Sequence, residues 1–500
     1  MNNAAQPREL PQAILVVGDG QVGVLTAIAL RQALPTTTVT VIPSPSDNAA
    51  FADRIGTAMP FTNRLHDRLG ISEMDLVQKA GASHRLVTRY RGWASETHEG
   101  VSGYGSGNPA LGNAFTGHFE GVRSPGQAAE TRVLTPAAAL AATGRFCPPD
   151  GDPNSPLATI DYALRWNVAA YRDLLIAKAM QLGIQYAPQM PADVQYSEQG
   201  DIAAVILNEN AGAIAADLFI DCSGPMRWLM SRMAGAAVDS WGKHLPCDRV
   251  LIAAPGEPVL ALEDRMTLTP HGWLGEIGGR DGVQRIFAFP ASLGSAEAEA
   301  QLIKVGASAA IAANIHPGAL AQPFVGNVVA LGDAAASFEP IGGTNLDLAH
   351  RQLSLLLELL PSRNVDPRER EEYNRRAELM ASSLRDWLTS HYAAPGMPGT
   401  PFTARVSQLT YSPSLDLLID LHRRHGRMPF FEEAPMLPSE WSAMLLALGI
   451  SSTPSAHALA QPAERNRALT QQAENVARAA VDAAPPYAEW LGSVLPQPEV

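Results

Sequence analysis

AILVVGDGQVGVLTAIALRQAL, Ala13 to Leu34, reads as one strand, one tight turn and one helix. The apolar run Ala13 to Val17 suits a buried parallel strand. Gly18-Asp19-Gly20-Gln21-Val22-Gly23 follows as GxGxxG, then Val24 to Leu34 as a helix stopped by Pro35, then Val39 to Ile42 (VTVI) as a second strand. In this βαβ setting Gly18 permits the tight turn, Gly20 a close approach of backbone to a pyrophosphate, and Gly23 close packing of helix on strand. The helix N-terminus offers that anion free N–H groups and a positive dipole end. The unit predicts an α/β chain built on a Rossmann-like dinucleotide domain. One element of the pattern is absent: the acid expected about 20 residues on, which holds the ribose, is replaced by Pro43-Ser44, and Asp47 is a poor substitute.

A second strand-turn-helix lies far downstream. Asn327 to Leu331 (NVVAL) is a short apolar run, and Gly332-Asp333 stands at its C-terminal end, where open α/β sheets bind ligands. A carboxylate there accepts hydrogen bonds from sugar or ribityl hydroxyls. Pro340 and Gly342-Gly343-Thr344-Asn345 then lead into a helix predicted over Leu346 to Leu360. The two glycines let backbone approach a ligand, and the helix start favours negative charge there. An ordinary glycine turn that simply starts a helix has the same look. The segment Leu218 to Asp221 is a further strand, ending in Cys222-Ser223-Gly224-Pro225, again small residues at a strand end.

Composition narrows the partners. The 500 residues suffice for two or three domains, and 37 basic against 50 acidic residues, net charge -13, argue against nucleic acid or an anionic membrane. A small ligand is the better expectation. Only Cys147, Cys222 and Cys247 occur, at spacings that suggest neither disulfides nor a zinc site, which suits a reducing cytoplasm. No metal site is expected. MNNAAQPRELPQ lacks the apolar core of an export signal, and no run reaches the roughly 18 apolar residues of a membrane span.

Between Ser44 and Leu134 the chain is rich in Gly, Ser and Asn, above all from Gly100 to Gly121, with Tyr90, Trp93, Tyr104, Phe115 and Phe119 interspersed; it reads as loops of a lid or substrate wall. Asn167 to Leu182 is an expected helix and Ile202 to Asn208 a strand. Arg249 to Ala254, His271 to Ile277 and Arg285 to Phe289 form a more antiparallel layer. From Asp366 onward helices dominate, at Arg368 to Thr389, Leu415 to Arg424, Trp441 to Leu448 and Ala463 to Ala484. The domain reading is therefore 11–365 for the dinucleotide domain with an inserted layer (about 82–130 and 240–320), and 366–500 for a helical region.

Taken in order, the motifs resemble those of the flavin-dependent tryptophan halogenase family. The resemblance runs through GxGxxG, Ala82-Ser83-His84-Arg85-Leu86 with Arg89-Tyr90 and Trp93, and Phe219-Ile220-Asp221-Cys222-Ser223-Gly224. It continues through Leu245-Pro246-Cys247-Asp248-Arg249, Gly272-Trp273, Phe338-Glu339-Pro340, Glu372-Tyr373-Asn374 and Ser390-His391-Tyr392, and ends at Trp441 before Gly449. It implies an aromatic hydroxylase-like FAD fold with Gly18, Gly20, Gly23, Ser223, Gly224, Gly332, Asp333, Gly342, Gly343, Thr344 and Asn345 at the cofactor. It also implies reduced FAD from a separate flavin reductase, oxygen, chloride or bromide, a small aromatic substrate, and often a homodimer. In the family, hypohalous acid passes along an internal tunnel to a lysine and a glutamate beside that substrate.

The chain departs from the pattern at three places. Arg85 aligns with the lysine, and a guanidinium does not readily form a haloamine; Lys79 is nearby but out of register. Gly342-Gly343 stand where the family has Glu-Ser, leaving Thr344 of the triplet. Trp273-Leu-Gly275-Glu-Ile277-Gly278 replaces Trp-x-Trp-x-Ile-Pro, a motif that in the family separates substrate from flavin. Three readings follow: a halogenase, a flavin monooxygenase of the aromatic hydroxylase kind, and a flavin or ligand binder without catalysis. Glu339 precedes a proline, which holds it extended and away from the carboxylate role. His84, His271, His350 and His391 are expected to be structural.

Overall fold

The computed structural model describes residues 9–105, 135–208, 211–426, 428–453, 456, 460 and 462–496. It forms two compact units: Met1–Ala80 with Asn167–Gly242 and Asn314–Ser382, and Gly81–Trp166 with Lys243–Ala313 and Ser383–Val500.

In the first unit a sheet is assembled from β1 (Ala13–Val17), β2 (Thr38–Ile42), β3 (Gln185–Tyr186), β4 (Leu218–Asp221), β5 (Phe324–Val325) and β6 (Val328–Ala330). The spatial order is β5-β6-β4-β1-β2-β3, and every pair is parallel except the edge pair β5-β6. The central strands are buried apolar runs, as a sheet covered on both faces requires. Register sets Val17 beside Ile42 and Asp221, and Asp221 beside Ala330, so the turns after β1, β4 and β6 leave the sheet at one edge. That edge is the ligand-binding side of such sheets. Helix α1 (Gln21–Ala33) begins inside the glycine turn rather than after it, and Gln21 through Leu30 are all buried. A helix apolar on every side belongs in a core. Also in this unit are α2 (Pro60–Leu69), α3 (Glu73–Lys79), α4 (Val168–Gln181) and α5 (Thr344–Glu358); α4 packs on α1, and α5 on α1 and α2. Leu15, Val17, Ile42, Phe219, Trp228, Leu229 and Val328 form much of the core.

The second unit carries a seven-stranded sheet in the order 309–314, 249–253, 284–289, 272–277, 263–269, 87–91 and 99–103. Strand 87–91 runs parallel to 263–269, while the hairpins within 263–289 are antiparallel. The C-terminal region is helical, with Pro401–Val406, Pro413–His425 and Pro438–Ala447 each opened by proline at the first helical position. The fixed φ suits that place, and the missing N–H costs nothing there.

The reading of residues 44–134 as loops is corrected by two helices, α2 and α3, and by strands Ser83–Arg85, Val87–Arg91 and Glu99–Gly103. In α2 the inward face is Thr62, Leu65, His66 and Leu69, where Thr62 and His66 mask the apolar periodicity. Their polarity is satisfied internally: Thr62 bonds His350 Nδ1 at 2.8 Å and His66 Nε2 bonds the Tyr171 hydroxyl at 2.7 Å. Phe115 and Phe119 lie outside the described residues.

Candidate active site

The glycine turn after β1 is dictated by its neighbours. Gly18 has φ +118°, and a Cβ there would lie 2.3 Å from the Cys222 carbonyl oxygen; one at Gly23 would lie 1.8 Å from the Gly18 carbonyl oxygen. At Gly20 the space is filled from within the chain. A Cβ there would stand 2.3 to 2.4 Å from the Asp53 carboxyl group, and Val22 N–H donates to Asp53 Oδ1 at 3.0 Å.

Asp53 ends a single tight turn, Phe51–Asp53, which is stitched across the strand ends. Gln21 Nε2 donates to the Ala52 carbonyl at 2.5 Å and to that of Ile55 at 3.4 Å, while Ala52 N–H donates to Asp333 Oδ2 at 2.7 Å. Asp47, weighed above as a ribose acid, spends Oδ1 on the N–H of Ala49 in its own turn.

After β6, Gly332 has φ +62°, and its N–H donates to Gln352 Oε1 at 2.8 Å. Asp333 Oδ1 accepts from Asn345 Nδ2 at 3.0 Å, so both carboxylate oxygens have partners inside the unit. Burial pushes the Asp333 carboxyl up to about 7, against the Ala52 and Asn345 hydrogen bonds and with help from Asp53 and Asp47. Asp53 is likewise pushed up to about 6, by burial first and by Asp19, while Val22 N–H, Arg54 and Arg172 oppose the rise. Gly342 and Gly343 both adopt left-handed backbone, φ +63° and +83°; a Cβ at 342 meets nothing within 4 Å, whereas one at 343 would lie 2.7 Å from the Thr57 carbonyl oxygen. Thr344 Oγ1 donates to the Ile341 carbonyl at 2.7 Å and so closes the turn.

After β4, Asp221 accepts four hydrogen bonds, from the Ser223 N–H and hydroxyl and from the N–H groups of Leu229 and Met230. Ser223 Oγ also accepts from Trp228 N–H at 2.7 Å, so Asp221 and Ser223 hold their own turn. Arg227 went unnoticed in the motif reading. It is a non-glycine residue at φ 51°, its Nε donates to the Ala334 carbonyl at 3.0 Å, and its Nη2 is buried without a hydrogen-bond partner among the described residues. Asn345 Oδ1 is in the same condition. Both atoms flank the Gly332–Ala334 turn. The only hint in sequence was a cation three residues past the glycine of the DCSG turn.

A flavin dinucleotide fits this edge on most counts. Glycines occur where backbone must be bare, and two buried polar atoms await partners. On the pyrophosphate side, however, Asp53 already engages Val22 N–H.

In the second unit Arg85 is fully buried on strand Ser83–Arg85. Its Nη1 donates to Asp264 Oδ2 at 2.6 Å, and Arg165 Nη1 donates to Asp264 Oδ1 at 3.0 Å. One carboxylate thus bridges two guanidinium groups, and Arg85 also lies over the Tyr104 ring, 5.3 Å from its centroid. Arg165 explains another departure, because a Cβ at Gly278 would lie 2.9 Å from Arg165 Nη1. A side chain at 278 would therefore compete with Arg165 for space. Trp273 is buried, and a Cβ at Gly275 would lie 3.2 Å from the Trp273 ring.

His84, His350 and His391 are buried. His84 packs against Phe146, Tyr162, Tyr487 and Trp490, and His391 against Tyr90, Trp93 and Trp387. Burial lowers His391 to about 4 and holds His350 well below the ordinary value, which keeps both neutral. Among the described residues no group of His, Cys, Asp and Glu is arranged to hold a metal, and no helix is long and apolar enough to cross a membrane.

A sequence model of the tryptophan halogenase family matches residues 13–464. Tryptophan 6-halogenase SttH of Streptomyces toxytricini is 24% identical, with 97% of this chain and 98% of that protein covered. Two solved structures share the fold: BrvH, a flavin-dependent halogenase from Brevundimonas sp. BAL3, has TM-score 0.87 and 25% identity, covering 97% of this chain and 99% of that one. Xcc4156, a flavin-dependent halogenase from Xanthomonas campestris, has TM-score 0.88 and 23% identity, covering 98% and 100%. With the glycine turns, the strand order and these likenesses in agreement, the chain belongs to the flavin-dependent tryptophan halogenase family.

Proposed function

We propose that this chain is an FAD-dependent oxidoreductase that uses reduced FAD and oxygen on a small aromatic substrate, indole-like or phenolic. A separate flavin reductase supplies the reduced cofactor, in a reducing cytoplasm. The observation that carries this reading is the convergence of the turns after β1, β4 and β6 at one edge of the parallel sheet, flanked by the buried Arg227 Nη2 and Asn345 Oδ1. Among its relatives, SttH is described as a tryptophan 6-halogenase and BrvH as a flavin-dependent halogenase.

Bound FAD would supply the electrons that activate oxygen. The chain's own residues bind and orient it. Gly342 and Gly343 bare the backbone at the start of α5, where the dipole end favours an anionic ring. Arg227 offers a donor and Asn345 an acceptor. Asp333, held up to about 7, carries a proton for part of its population at neutral pH and then donates as well as accepts.

A second reading is favoured by the residues at the family's reacting positions. Gly342 brings no carboxylate, and the Arg85 guanidinium is engaged with Asp264. Oxygen transfer to the substrate, which needs neither lysine nor glutamate, competes on those grounds with halogenation by chloride or bromide.

Titration with FAD and with reduced FAD is the first test, since a chain that takes up neither has no basis for either reaction and leaves only a ligand-binding role. A chain that binds is then assayed with oxygen, a reductase, chloride or bromide, and a panel of indoles and phenols. Halogenated products by mass spectrometry support the family reaction, and hydroxylated products the second reading. Turnover with NADH in the absence of a reductase would show that a nicotinamide reduces the flavin on this chain directly, as in aromatic hydroxylases, and would remove the need for a separate reductase.

A further inference from the structure

The seat that a dinucleotide pyrophosphate needs is occupied by a side chain of this protein. Gly20 is the glycine whose bareness lets phosphate approach α1, and the space above it holds the Asp53 carboxyl. The N–H that faces that space, Val22, donates to Asp53 at 3.0 Å. The turn bearing Asp53 is tied at both ends of the crevice, by Gln21 to the Ala52 carbonyl and by Ala52 N–H to Asp333. We propose that Asp53 is a built-in competitor for the pyrophosphate and the residue that sets how tightly, and at what pH, this chain holds FAD.

The inference rests on the flavin reading above and deepens it. A helix N-terminus can be satisfied by one anion, and two anions over the same donors repel. The neighbourhood does little to offset a second anion. Asp19 lies in the glycine turn, Asp47 in the loop after β2 and Asp333 after β6, while the cations are Arg54 on the same turn and Arg172 on α4. Arg172 is already paired with Asp19, to whose carbonyl its Nε also donates at 2.6 Å. The buried Cys222 thiol stands at the end of β4. Pro43-Ser44, in place of a ribose-binding acid, removes a compensating contact on the adenosine side. FAD therefore binds by displacing Asp53 and is held loosely, which suits a cofactor that arrives reduced from another protein.

Two substitutions separate the causes. Asp53→Asn keeps the shape and removes the charge; Asp53→Gly clears the seat. The full-length protein is titrated by fluorescence with FAD, with ADP as a probe carrying the pyrophosphate without the flavin, and with riboflavin as a probe carrying the flavin without it. Thermal melts verify that each variant is folded. Asp53→Gly is expected to tighten FAD and ADP about tenfold or more and to leave riboflavin unchanged, because charges this close interact strongly even in a screened site. Because displacement returns the Asp53 carboxyl from about 6 toward its ordinary 3.8, binding releases a proton, so wild-type affinity for FAD is expected to weaken as pH falls from 8 to 5.5, and Asp53→Asn to remove that loss.

The outcomes discriminate. If folded variants and wild type bind FAD equally, the competition is overturned and the flavin reading stands. If none binds FAD but Asp53→Gly gains ADP, the seat is as proposed and the flavin reading is lost. If no protein binds either nucleotide, both fail.

Discussion

The strand ends of the first unit and the surroundings of Arg85 in the second unit solve the problem of buried polarity in opposite ways. At the strand ends glycines bare the backbone, and the carboxylates Asp53, Asp221 and Asp333 are held mainly by N–H donors rather than by cations. Around Arg85, two guanidinium groups and one carboxylate are enclosed, and each depends on the others. The GxGxxG and Gly332-Asp333 turns of the first region keep the family pattern, while on the alignment above the departures lie at Gly342-Gly343 there and at Arg85 in the second. Gly18 and Gly23 are required by packing as much as by any ligand, since the Cys222 and Gly18 carbonyls leave no room for a side chain. Arg85 is held instead by a counter-ion, Asp264.

The largest effect is expected from breaking that cluster. Asp264→Ala leaves Arg85 and Arg165 buried without their shared carboxylate, and removing one partner of a buried pair costs about 3–5 kcal/mol. Urea denaturation measures it. A loss under about 1 kcal/mol would mean that water or another anion replaces the carboxylate, and that the site is open enough for a substrate anion.

The glycine region yields next, and unevenly. Gly343→Ser puts a Cβ 2.7 Å from the Thr57 carbonyl at φ +83°, and a strained left-handed residue alone costs of order 1–3 kcal/mol. Gly342→Glu has the same kind of backbone, φ +63°, with open space around it, so only the conformational part, roughly 1 kcal/mol, applies. Restoring the family's Glu-Ser pair should therefore succeed at 342 and fail at 343 in a thermal melt. A gain-of-bromination experiment is better built on Arg85→Lys with Gly342→Glu than on all three changes.

Proton linkage gives a third way to press the comparison. Asp53 and Asp333 have folded-state values raised to about 6 and about 7 from 3.8, so the folded chain holds protons that the unfolded chain has released. Their contribution to stability is complete below about pH 4 and is lost as pH rises through 6 for Asp53 and 7 for Asp333. Asp53→Asn should then melt at the same temperature as wild type near pH 4 and higher at pH 8. The gain is on the order of 2 kcal/mol after allowance for the partial exposure of Asp53. Equal melting at both pH values would show that Asp53 is solvated and has left the seat over Gly20.

These contrasts also mark what could be read from sequence. The βαβ unit, the Gly332-Asp333 turn and the helical C-terminal region are local patterns in which each residue's neighbours lie within one element, and they are found as expected. Asp53 over Val22 and Asp264 between Arg85 and Arg165 join residues 31, 179 and 99 positions apart. No periodicity or motif reports such pairs. For Arg85 the sequence drew attention to the residue but not to its environment, because nothing in it indicated where the counter-ion would come from. Helix α2 escaped notice because His66 and Thr62 are polar residues on its buried face, partnered by Tyr171 and His350 from elsewhere in the chain.

The smallest expected effect is the control for the largest. Glu276 and Arg285 pair across adjacent strands of the second unit at 3.0 Å, each about one-fifth exposed, at 24% and 19%. Asp264 and Arg85 pair at 2.6 Å with almost no exposure. Both are arginine-carboxylate contacts whose carboxylates stand on the same seven-stranded sheet, and they differ chiefly in access to water. Glu276→Gln should cost no more than about 1 kcal/mol and lose that cost in high salt, because water and ions already screen the pair. Asp264→Ala should keep its cost in the same salt. If the two variants respond alike, burial is not what separates the pairs, and the account of Arg85 as a cation locked by its enclosure falls with it.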